Sequence, residues 1–445
     1  MSSSEFPFHI VHHVLPGQYI REYPQATSTT QEDTLVLHVN QYIPRDNPNP
    51  QPGDVTIIGA HANGFPKELY EPLWEDLLAR SKQHGFRIRA IWIADVAHQG
   101  ESSVLNEDKL GNDPSWLDHT RDLLHLINLK RDEMPRPIVG IGHSMGGAQL
   151  TALSLFHPRL LHSLVLLDPV IQRQPVTDAE HNGLRVPINT RLSTHRRDLW
   201  PSREAAAESF RRSPFYQSWD PRVLERWIRH GLRELPTAIY PTTSTAENSS
   251  DKPVTLTTTR HQEVFTFSRP NYDHDKPGNS PAIDRIRHPD IPHDLPPGYV
   301  FYRAEPYAIA AQLPHVRPSV LYIFGEKSEV STPAHIEKKL STTGTGDGGN
   351  GGVAAGRVSS VILPGKGHLV AQEATTECAD AIARFLGREL RRWREEEDAF
   401  AARWHARSKV QKMTVDDWWM KQIGPKPGRD QNNSNNNNQT DKSKL

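Results

Sequence analysis

Residues 137–147 read Pro-Ile-Val-Gly-Ile-Gly-His-Ser-Met-Gly-Gly, and this stretch decides the fold. It joins a run of apolar, β-prone residues to the start of a helical pattern, with a serine at the turn between them. Residues 142–146 fit the pattern G-x-S-x-G, in which a sharp strand-to-helix turn holds a serine hydroxyl clear of a sheet. Because both the strand and the helix are in place, Ser144 is predicted to be a nucleophile.

Outward from this turn, short β-rich runs alternate with helical patterns. Such alternation predicts an α/β fold, with a mostly parallel sheet covered by helices, and continuous apolar runs are expected for its doubly buried strands. The predicted strands are Thr34–Tyr42, Val55–Ala60, Arg87–Ala94, Pro137–Gly142, Ser163–Leu167, Ser319–Phe324 and Arg357–Leu363. The predicted helices cover residues 68–84, 114–130, 145–156 and 371–386, with two more near 203–212 and 220–231.

The alternation stops after residue 170 and resumes at residue 318. We interpret the intervening stretch, which is rich in threonine and proline, as a large cap or lid inserted over the sheet. Residues 342–352 are dominated by glycine and predict a flexible loop. The predicted division is a first core part (1–170), a cap (171–317), a second core part with a C-terminal helical extension (318–420) and a disordered polar tail (421–445).

A serine hydroxyl needs a base to take its proton, and in this fold the acid and then the histidine follow the serine along the chain. The chain has 23 histidines. Only His368 lies in a glycine-containing loop between the last predicted strand and a following helix. His368 is therefore the predicted general base.

The acid that orients the histidine is less sharply defined by the sequence. Its usual place, the turn after the penultimate strand, holds Ser328 in this chain. Asp168 stands at the end of the preceding predicted strand, Ser163–Leu167. From there it can orient His368 and stabilise the imidazolium formed during proton transfer. Asp168 is the preferred acid, and Glu326 and Glu329 stay open as alternatives.

The oxyanion formed during acyl transfer requires two backbone N–H groups aimed at the developing charge. One is predicted to come from Met145, which follows the nucleophile. The other is predicted to come from the loop His61–Glu68, with Phe65 preferred and Asn63 as the second choice. A neighbouring turn, Asp95–Ser102, is interpreted as structural.

The composition and the last three residues indicate which classes of protein and which cell compartment fit this chain. The net charge is −1, so no global field favours nucleic acid or an anionic membrane. No apolar run approaches the roughly 20 residues of a transmembrane helix. The chain ends in Ser443-Lys444-Leu445, the peroxisomal import tripeptide, which predicts binding by the import receptor and a place in the peroxisomal matrix. No metal-ligand spacing appears, and neither a metal nor an organic cofactor is expected.

Together these motifs resemble those of the α/β-hydrolase superfamily. More narrowly, the chain is similar to the filamentous-fungal peroxisomal hydrolases associated with host-selective toxin biosynthesis, and more distantly to the yeast peroxisomal lipase. The narrower resemblance rests on Arg21–Pro24, Ala60–Glu68, Gly142–Gly147, Leu167–Pro169, Phe324–Ser328 and Gly367–Leu369. It implies a peroxisomal serine hydrolase that acts on a fatty-acid-derived ester or thioester, in lipid or secondary metabolism.

The predicted reaction is hydrolysis of a small-molecule acyl ester or thioester through an acyl-enzyme on Ser144. The esterase, lipase and thioesterase classes all fit this chemistry. A long acyl chain is suggested by the cap and its aromatic residues, which include Phe210, Phe215, Trp219, Trp227 and Phe301. Two alternatives stay open: the same residues can transfer the acyl group to an alcohol or amine, or the chain is a non-catalytic binding protein of this fold, as the serine at position 328 suggests.

Overall fold

The computed structural model describes residues 6–172, 178–181, 184–241, 252–271, 285–286, 288–293 and 301–426. The predicted targeting tripeptide, Ser443–Leu445, lies outside the described residues. The chain divides into two compact units, Met1–Arg391 and Arg392–Leu445. The first unit holds the sheet and the candidate site.

An eight-stranded sheet organises the first unit, and we number its strands β1–β8 in chain order. They are Phe8–Pro16, Val36–Pro44, Val55–Ala60, Ile88–Ala94, Ile138–His143, Ser163–Leu167, Ser319–Gly325 and Val358–Leu363. Their order in the sheet is β1-β2-β4-β3-β5-β6-β7-β8. β2 pairs antiparallel with β1 and β4, and the other neighbours are parallel. The predicted α/β class with a mostly parallel sheet is confirmed.

Seven of these strands lie where β-rich runs predicted them, whereas β1 was not predicted. The burial pattern explains the difference. Every residue of β3, β5, β6 and β7 is buried, so each reads as a continuous apolar run. In β1, an edge strand that contains three histidines, only Phe8 is buried, and no apolar run marks it.

Helices cover both faces of the sheet. In chain order, α1–α14 of the described residues are Glu71–Ser81, Gly100–Leu105, Trp116–Leu129, Met145–Phe156, Ile188–His195, Arg203–Arg212, Pro214–Gln217, Pro221–His230, Arg260–Phe267, Glu305–Gln312, Pro333–Thr342, Val370–Glu373, Thr375–His405 and Asp417–Ile423. One apolar cluster joins the sheet to α1 and the first half of α13, and another joins it to α3 and α4. No helix in the described ranges has both the length and the apolar character needed to cross a bilayer.

The chain between β6 and β7, called here the β6–β7 connection, occupies the region where a cap was predicted. Within its described parts it carries α5–α10 and short antiparallel strand pairs. The helices α6 and α8 fall where the sequence predicted them. In contrast, Ile309 of α10 belongs to the apolar cluster on α3 and α4, so the end of the connection contributes to the core.

The glycine-rich segment 342–352, which was expected to be a flexible loop, is held by hydrogen bonds. The N–H groups of Gly344 and Gly346 donate to the carbonyl groups of Leu313 and Pro314, at 2.9 and 2.8 Å. These bonds fasten the segment to the chain just before β7. Glycine content therefore predicted the turns of this segment but not its attachment.

Candidate active site

The candidate nucleophile lies at the junction between β5 and α4. Ser144 has φ 55° and ψ −115°, a backbone conformation that a non-glycine residue rarely adopts. The flanking glycines make the turn possible. A Cβ atom on Gly142 would lie 2.6 Å from the carbonyl oxygen of Gly146, and one on Gly146 would lie 2.2 Å from that of Ala60. The motif thus encodes the strained turn that presents the buried Ser144 to a cavity.

Three predicted site residues from the ends of three strands form one hydrogen-bonded chain. His368 Nε2 lies 2.8 Å from Ser144 Oγ, and His368 Nδ1 lies 2.6 Å from Asp168 Oδ2. An ionised carboxylate only accepts hydrogen bonds, so we assign the proton of the neutral imidazole to Nδ1. Nε2 is then free to accept the proton of the serine hydroxyl. This is the arrangement that activates a serine in acyl transfer.

Asp168 is held in place by both its backbone and its carboxylate. It has φ 41°, is fully buried, and its N–H donates to the carbonyl group of Ile323 at 2.7 Å. Ser328 donates its hydroxyl proton to Oδ2, the same oxygen that binds His368. Burial opposes ionisation, but the hydrogen bond and charge of His368 and the hydrogen bond of Ser328 outweigh it and lower the pKa of Asp168. Asp168 is therefore an anion at neutral pH.

The other candidate acids do not reach the histidine. Glu326 is exposed and accepts the N–H of Gly365 at 2.7 Å, and Glu329 is exposed at the rim of a cavity. Neither has a hydrogen bond or ion pair with His368 in the part of the chain that the structure describes. Ser328, which stands where an acid was expected, instead supports the carboxylate of Asp168.

Sequence reasoning missed His143 and Tyr70. His143 Nε2 lies 3.1 Å from the carbonyl oxygen of His368, and His143 Nδ1 lies 2.9 Å from the Tyr70 hydroxyl. Since a carbonyl oxygen only accepts, Nε2 carries the proton and Tyr70 donates to Nδ1. Tyr70 in turn accepts the N–H of Ala62 at 2.9 Å. Burial and the adjacent His368 lower the pKa of His143 to about 3, so this link is neutral. The only sequence signal for His143 was its place as the first variable residue of the G-x-S-x-G motif.

The predicted oxyanion donors line the same cavity as Ser144. Met145 is the first residue of α4, and its N–H donates to no acceptor among the described residues. In the facing loop, the N–H of Phe65 donates to the carbonyl group of Ala62 at 3.4 Å, whereas that of Asn63 has no acceptor in the described ranges. The N–H of Asn63 is therefore the one of the two that is left without a partner, and Phe65, preferred from the sequence, stays the alternative second donor.

The loop is fastened at its far end by a buried ion cluster. Lys67 Nζ lies 2.6 Å from Asp95 Oδ2 and 2.8 Å from Glu68 Oε1, and its backbone N–H donates to Asp95 Oδ1 at 3.0 Å. Burial opposes the charge of Lys67, but Asp95 and Glu68 outweigh it and raise the pKa of the ammonium group. The interpretation of Asp95 as a structural residue agrees with this geometry.

We expect Lys67→Met to lower the free energy of unfolding by about 3–5 kcal/mol, because it leaves the Asp95 carboxylate buried without its counter-ion. Urea denaturation measures the loss. The control is Lys82→Met, which removes a solvent-exposed pair with Asp46 and should change the stability by no more than about 1 kcal/mol. Equal losses in the two variants would contradict the assignment.

A second buried lysine has no such ion pair within the described residues. Lys339 of α11 is 1% exposed, and its Nζ lies 3.4 Å from Oε1 of Gln172, a residue of the cavity wall. Burial lowers the pKa of Lys339 to about 8, although the charge of Asp168 acts in the opposite direction. The native state therefore binds this proton less tightly than the unfolded chain does.

We expect Lys339→Met to stabilise the protein at pH 7 by up to about 3 kcal/mol, since each pKa unit is worth about 1.4 kcal/mol. The wild-type penalty is fully present below a pH of about 8 and disappears as the pH rises towards the ordinary lysine pKa of 10.5. Urea denaturation at pH 7 and pH 10 should therefore show a shrinking difference. Lys338→Met, at an exposed neighbouring position, is the control. A gain that does not change with pH would refute the explanation.

A cavity of about 710 Å³ lies above Ser144 and His368. Its wall is mainly apolar and includes Trp116, Ile188, Leu192, Phe215, Phe267 and Phe301. Two of the aromatic residues noted in the sequence, Phe215 and Phe301, thus line it. The other three, Phe210, Trp219 and Trp227, are buried in an apolar cluster instead. No group of His, Cys, Asp and Glu that could hold a metal ion occurs among the described residues.

Comparisons with known proteins agree with this fold. Residues 57–381 match the family model described as the alpha/beta hydrolase family. The type I acyl-CoA thioesterase mpaH of Penicillium roqueforti is 41% identical over 440 residues, covering 96% of this chain and 97% of that protein. The abhydrolase domain-containing protein AFT2-1 of Alternaria alternata is 29% identical, over 59% of this chain and 92% of its own.

Among solved structures, the peroxisomal alpha-beta-hydrolase Lpx1 of Saccharomyces cerevisiae aligns with a TM-score of 0.62 and 19% identity. The alignment covers 91% of this chain and 100% of that one, and it shows a common fold. The resemblance inferred from the motifs is thereby confirmed. This chain belongs to the alpha/beta hydrolase family.

Proposed function

We propose that this protein is a serine-dependent acyl-CoA thioesterase. The observation that carries the proposal is the hydrogen-bonded chain Ser144–His368–Asp168 at the floor of a mainly apolar cavity. The choice of a thioester over an oxygen ester is supported by the relatives named acyl-CoA thioesterase, which align over nearly the whole chain.

In the proposed reaction, His368 Nε2 takes the proton of Ser144 Oγ as that oxygen attacks the thioester carbonyl carbon. The resulting oxyanion accepts hydrogen bonds from the N–H groups of Met145 and Asn63. When the tetrahedral intermediate collapses, the carbon–sulfur bond breaks and His368 gives its proton to the departing sulfur. A water molecule, deprotonated by His368, then releases the acid, and Asp168 stabilises the imidazolium in both halves.

The cavity supports a bulky and mainly apolar acyl group. Its volume falls in the range of about 300–1,000 Å³ that is typical of small-molecule sites. Both Leu192 and Phe215 of its wall are exposed to solvent as well, so an apolar entrance leads towards the serine. Burial of aliphatic groups here contributes about 0.8 kcal/mol per CH₂.

The proposal includes the compartment. It is supported by the terminal Ser443-Lys444-Leu445 and by the fold shared with a yeast hydrolase named as peroxisomal. A fluorescent protein fused ahead of the full chain should co-localise with a peroxisomal marker, and deletion of these three residues should release it to the cytosol. A fusion that ignores the deletion would overturn this part.

The activity is tested with the purified full chain and a panel of acyl-CoA substrates from short to long and aromatic chains. Free CoA thiol is measured by a colorimetric reagent and the acid product by mass spectrometry. The expected result is CoA and free acid in equal amounts, with the matched oxygen ester cleaved more slowly. CoA release that requires an added alcohol or amine would indicate acyl transfer, and a folded protein that turns over nothing would indicate a binding protein.

A further inference from the structure

Gln99 is a buried residue whose side chain contacts the loop His61–Glu68, called here the oxyanion loop, at two points. It directly precedes α2 and has no exposed surface. Its Oε1 accepts the N–H of Gly64 at 2.8 Å, and its Nε2 donates to Oδ1 of Asn63 at 2.7 Å. A backbone N–H can only donate, so the orientation of the Gln99 amide is fixed by Gly64. Gln99 thus holds the two residues that precede Phe65.

The same amide also contacts the β6–β7 connection. Gln99 Nε2 lies 3.1 Å from Oγ1 of Thr266 on α9. The Thr266 hydroxyl donates its own proton to the carbonyl group of Gln262 at 2.7 Å, so its oxygen is the acceptor for Gln99. From the other side, Nδ2 of Asn63 donates to the carbonyl group of Glu263 on α9 at 3.0 Å. Both ends of the Asn63 amide are therefore anchored.

This network leaves the loop few alternative conformations. A shift of the loop would break hydrogen bonds of buried groups, and a buried polar group without a partner destabilises the folded state. Gln99 itself neither lines the cavity nor hydrogen-bonds to Ser144 or His368 in the described structure. Of the three residues that its side chain binds, Asn63 lines the cavity, so the most direct influence on the chemistry passes through the loop.

We propose that Gln99 is the positioning residue of the oxyanion loop and couples its N–H donors to α9. The inference rests on the proposed function, because it assigns a role within that reaction. Donors held at the correct distance act on the transition state more than on the bound substrate, so the coupling should appear in kcat and not in KM.

The first test is Gln99→Met, assayed with the best acyl-CoA. Loss of one oxyanion donor costs about 10²–10³ in kcat, so a displaced donor should cost about 10- to 100-fold, with KM nearly unchanged. The matched control is Gln262→Met, since Gln262 is also buried and lies on α9 but bonds to Gly111 and not to the loop. Wild-type kcat in a folded Gln99→Met variant overturns the proposal.

A second pair of variants decides the question if Gln99→Met does not fold. Thr266→Val removes the hydroxyl group on α9 to which Gln99 donates a hydrogen bond, and Thr266→Ser keeps that hydroxyl group. The expected result is a several-fold lower kcat in the valine variant and wild-type kcat in the serine variant. Equal kcat values in the two would overturn the coupling.

Inhibitors separate positioning from general loosening of the fold. A trifluoromethyl ketone analogue of the substrate forms an oxyanion on the serine, so its inhibition constant should rise in parallel with the loss in kcat/KM. An acyl-CoA thioether without the carbonyl group makes no oxyanion, so its Kd should be unchanged. Parallel weakening of both ligands would overturn the positioning role. Failure of the wild-type protein to cleave any thioester would instead refute the proposed function.

Discussion

Replacing Ser144 by alanine should lower kcat/KM for thioester hydrolysis by about 10⁶-fold, and His368→Ala should cost about as much. The reason is that the two residues act as a unit. Ser144 Oγ lies 2.8 Å from His368 Nε2, and the hydroxyl is a poor nucleophile until that nitrogen takes its proton. The double variant should therefore lose no more than either single variant, which steady-state thiol release and mass spectrometry of the product can measure.

Labelling by a fluorophosphonate probe gives an independent readout of the same pair. The wild-type protein should label, and neither single variant should. Ser154→Ala is the control, because Ser154 is buried on α4 and donates only to the carbonyl group of Thr151. If Ser144→Ala keeps more than a hundredth of the wild-type activity, or still labels, the nucleophile lies elsewhere.

The strongest sequence signals were those in which neighbouring residues determine the geometry. Gly142 and Gly146 surround Ser144 because a side chain at either position would clash. The five-residue motif, with the strand before it and the helix after it, was therefore enough to predict the turn. The parallel strands were equally readable, since burial on both faces leaves an unbroken apolar run. The edge strand β1 has no such run and left no comparable signal.

The acid was ambiguous for a reason that lies in the sheet. β6 and β7 are parallel neighbours, with Leu167 opposite Ile323, so residues that follow the two strands meet at the same edge. Both Asp168 and Ser328 come after those strands, so an acid that serves His368 is expected at either place. Local sequence cannot choose between two neighbouring strand ends, and only the hydrogen bond between Ser328 and Asp168 shows how the positions are used together.

The network around Gln99 was beyond prediction because it is not local. Gln99 contacts Gly64 and Thr266, which lie 35 and 167 residues away along the chain. The turn Asp95–Ser102 was interpreted as structural, and this interpretation fits Asp95. The same interpretation overlooked Gln99, whose side chain binds the oxyanion loop.

Asp168→Asn should lower kcat by about 10⁴-fold while leaving the fold intact. An asparagine amide can donate a hydrogen bond to Nδ1 of His368, which would place the imidazole proton on Nε2. Ser144 would then face a donor instead of a base. Hydrogen bonds keep the pKa of Asp168 below the ordinary 3.8. In the wild-type protein the carboxylate should therefore stay ionised, and hold the imidazole proton on Nδ1, until the pH falls through that lowered pKa. Glu326→Gln and Glu329→Gln are the controls and should retain most of the wild-type kcat.

The serine at position 328 allows a sharper test of the same assignment. Adding Ser328→Asp to Asp168→Asn returns a carboxylate to the edge of the sheet, at the place where an acid was first expected. Because Ser328 already meets Asp168 at the oxygen that binds His368, we expect the new carboxylate to reach Nδ1 and restore kcat by about tenfold or more. The assignment to Asp168 is wrong if Asp168→Asn keeps a tenth of the wild-type activity and Glu326→Gln or Glu329→Gln is inactive. The acid would then be a glutamate. Restoration by the second substitution would instead show that the histidine requires a carboxylate at this edge, and that either strand end can supply it.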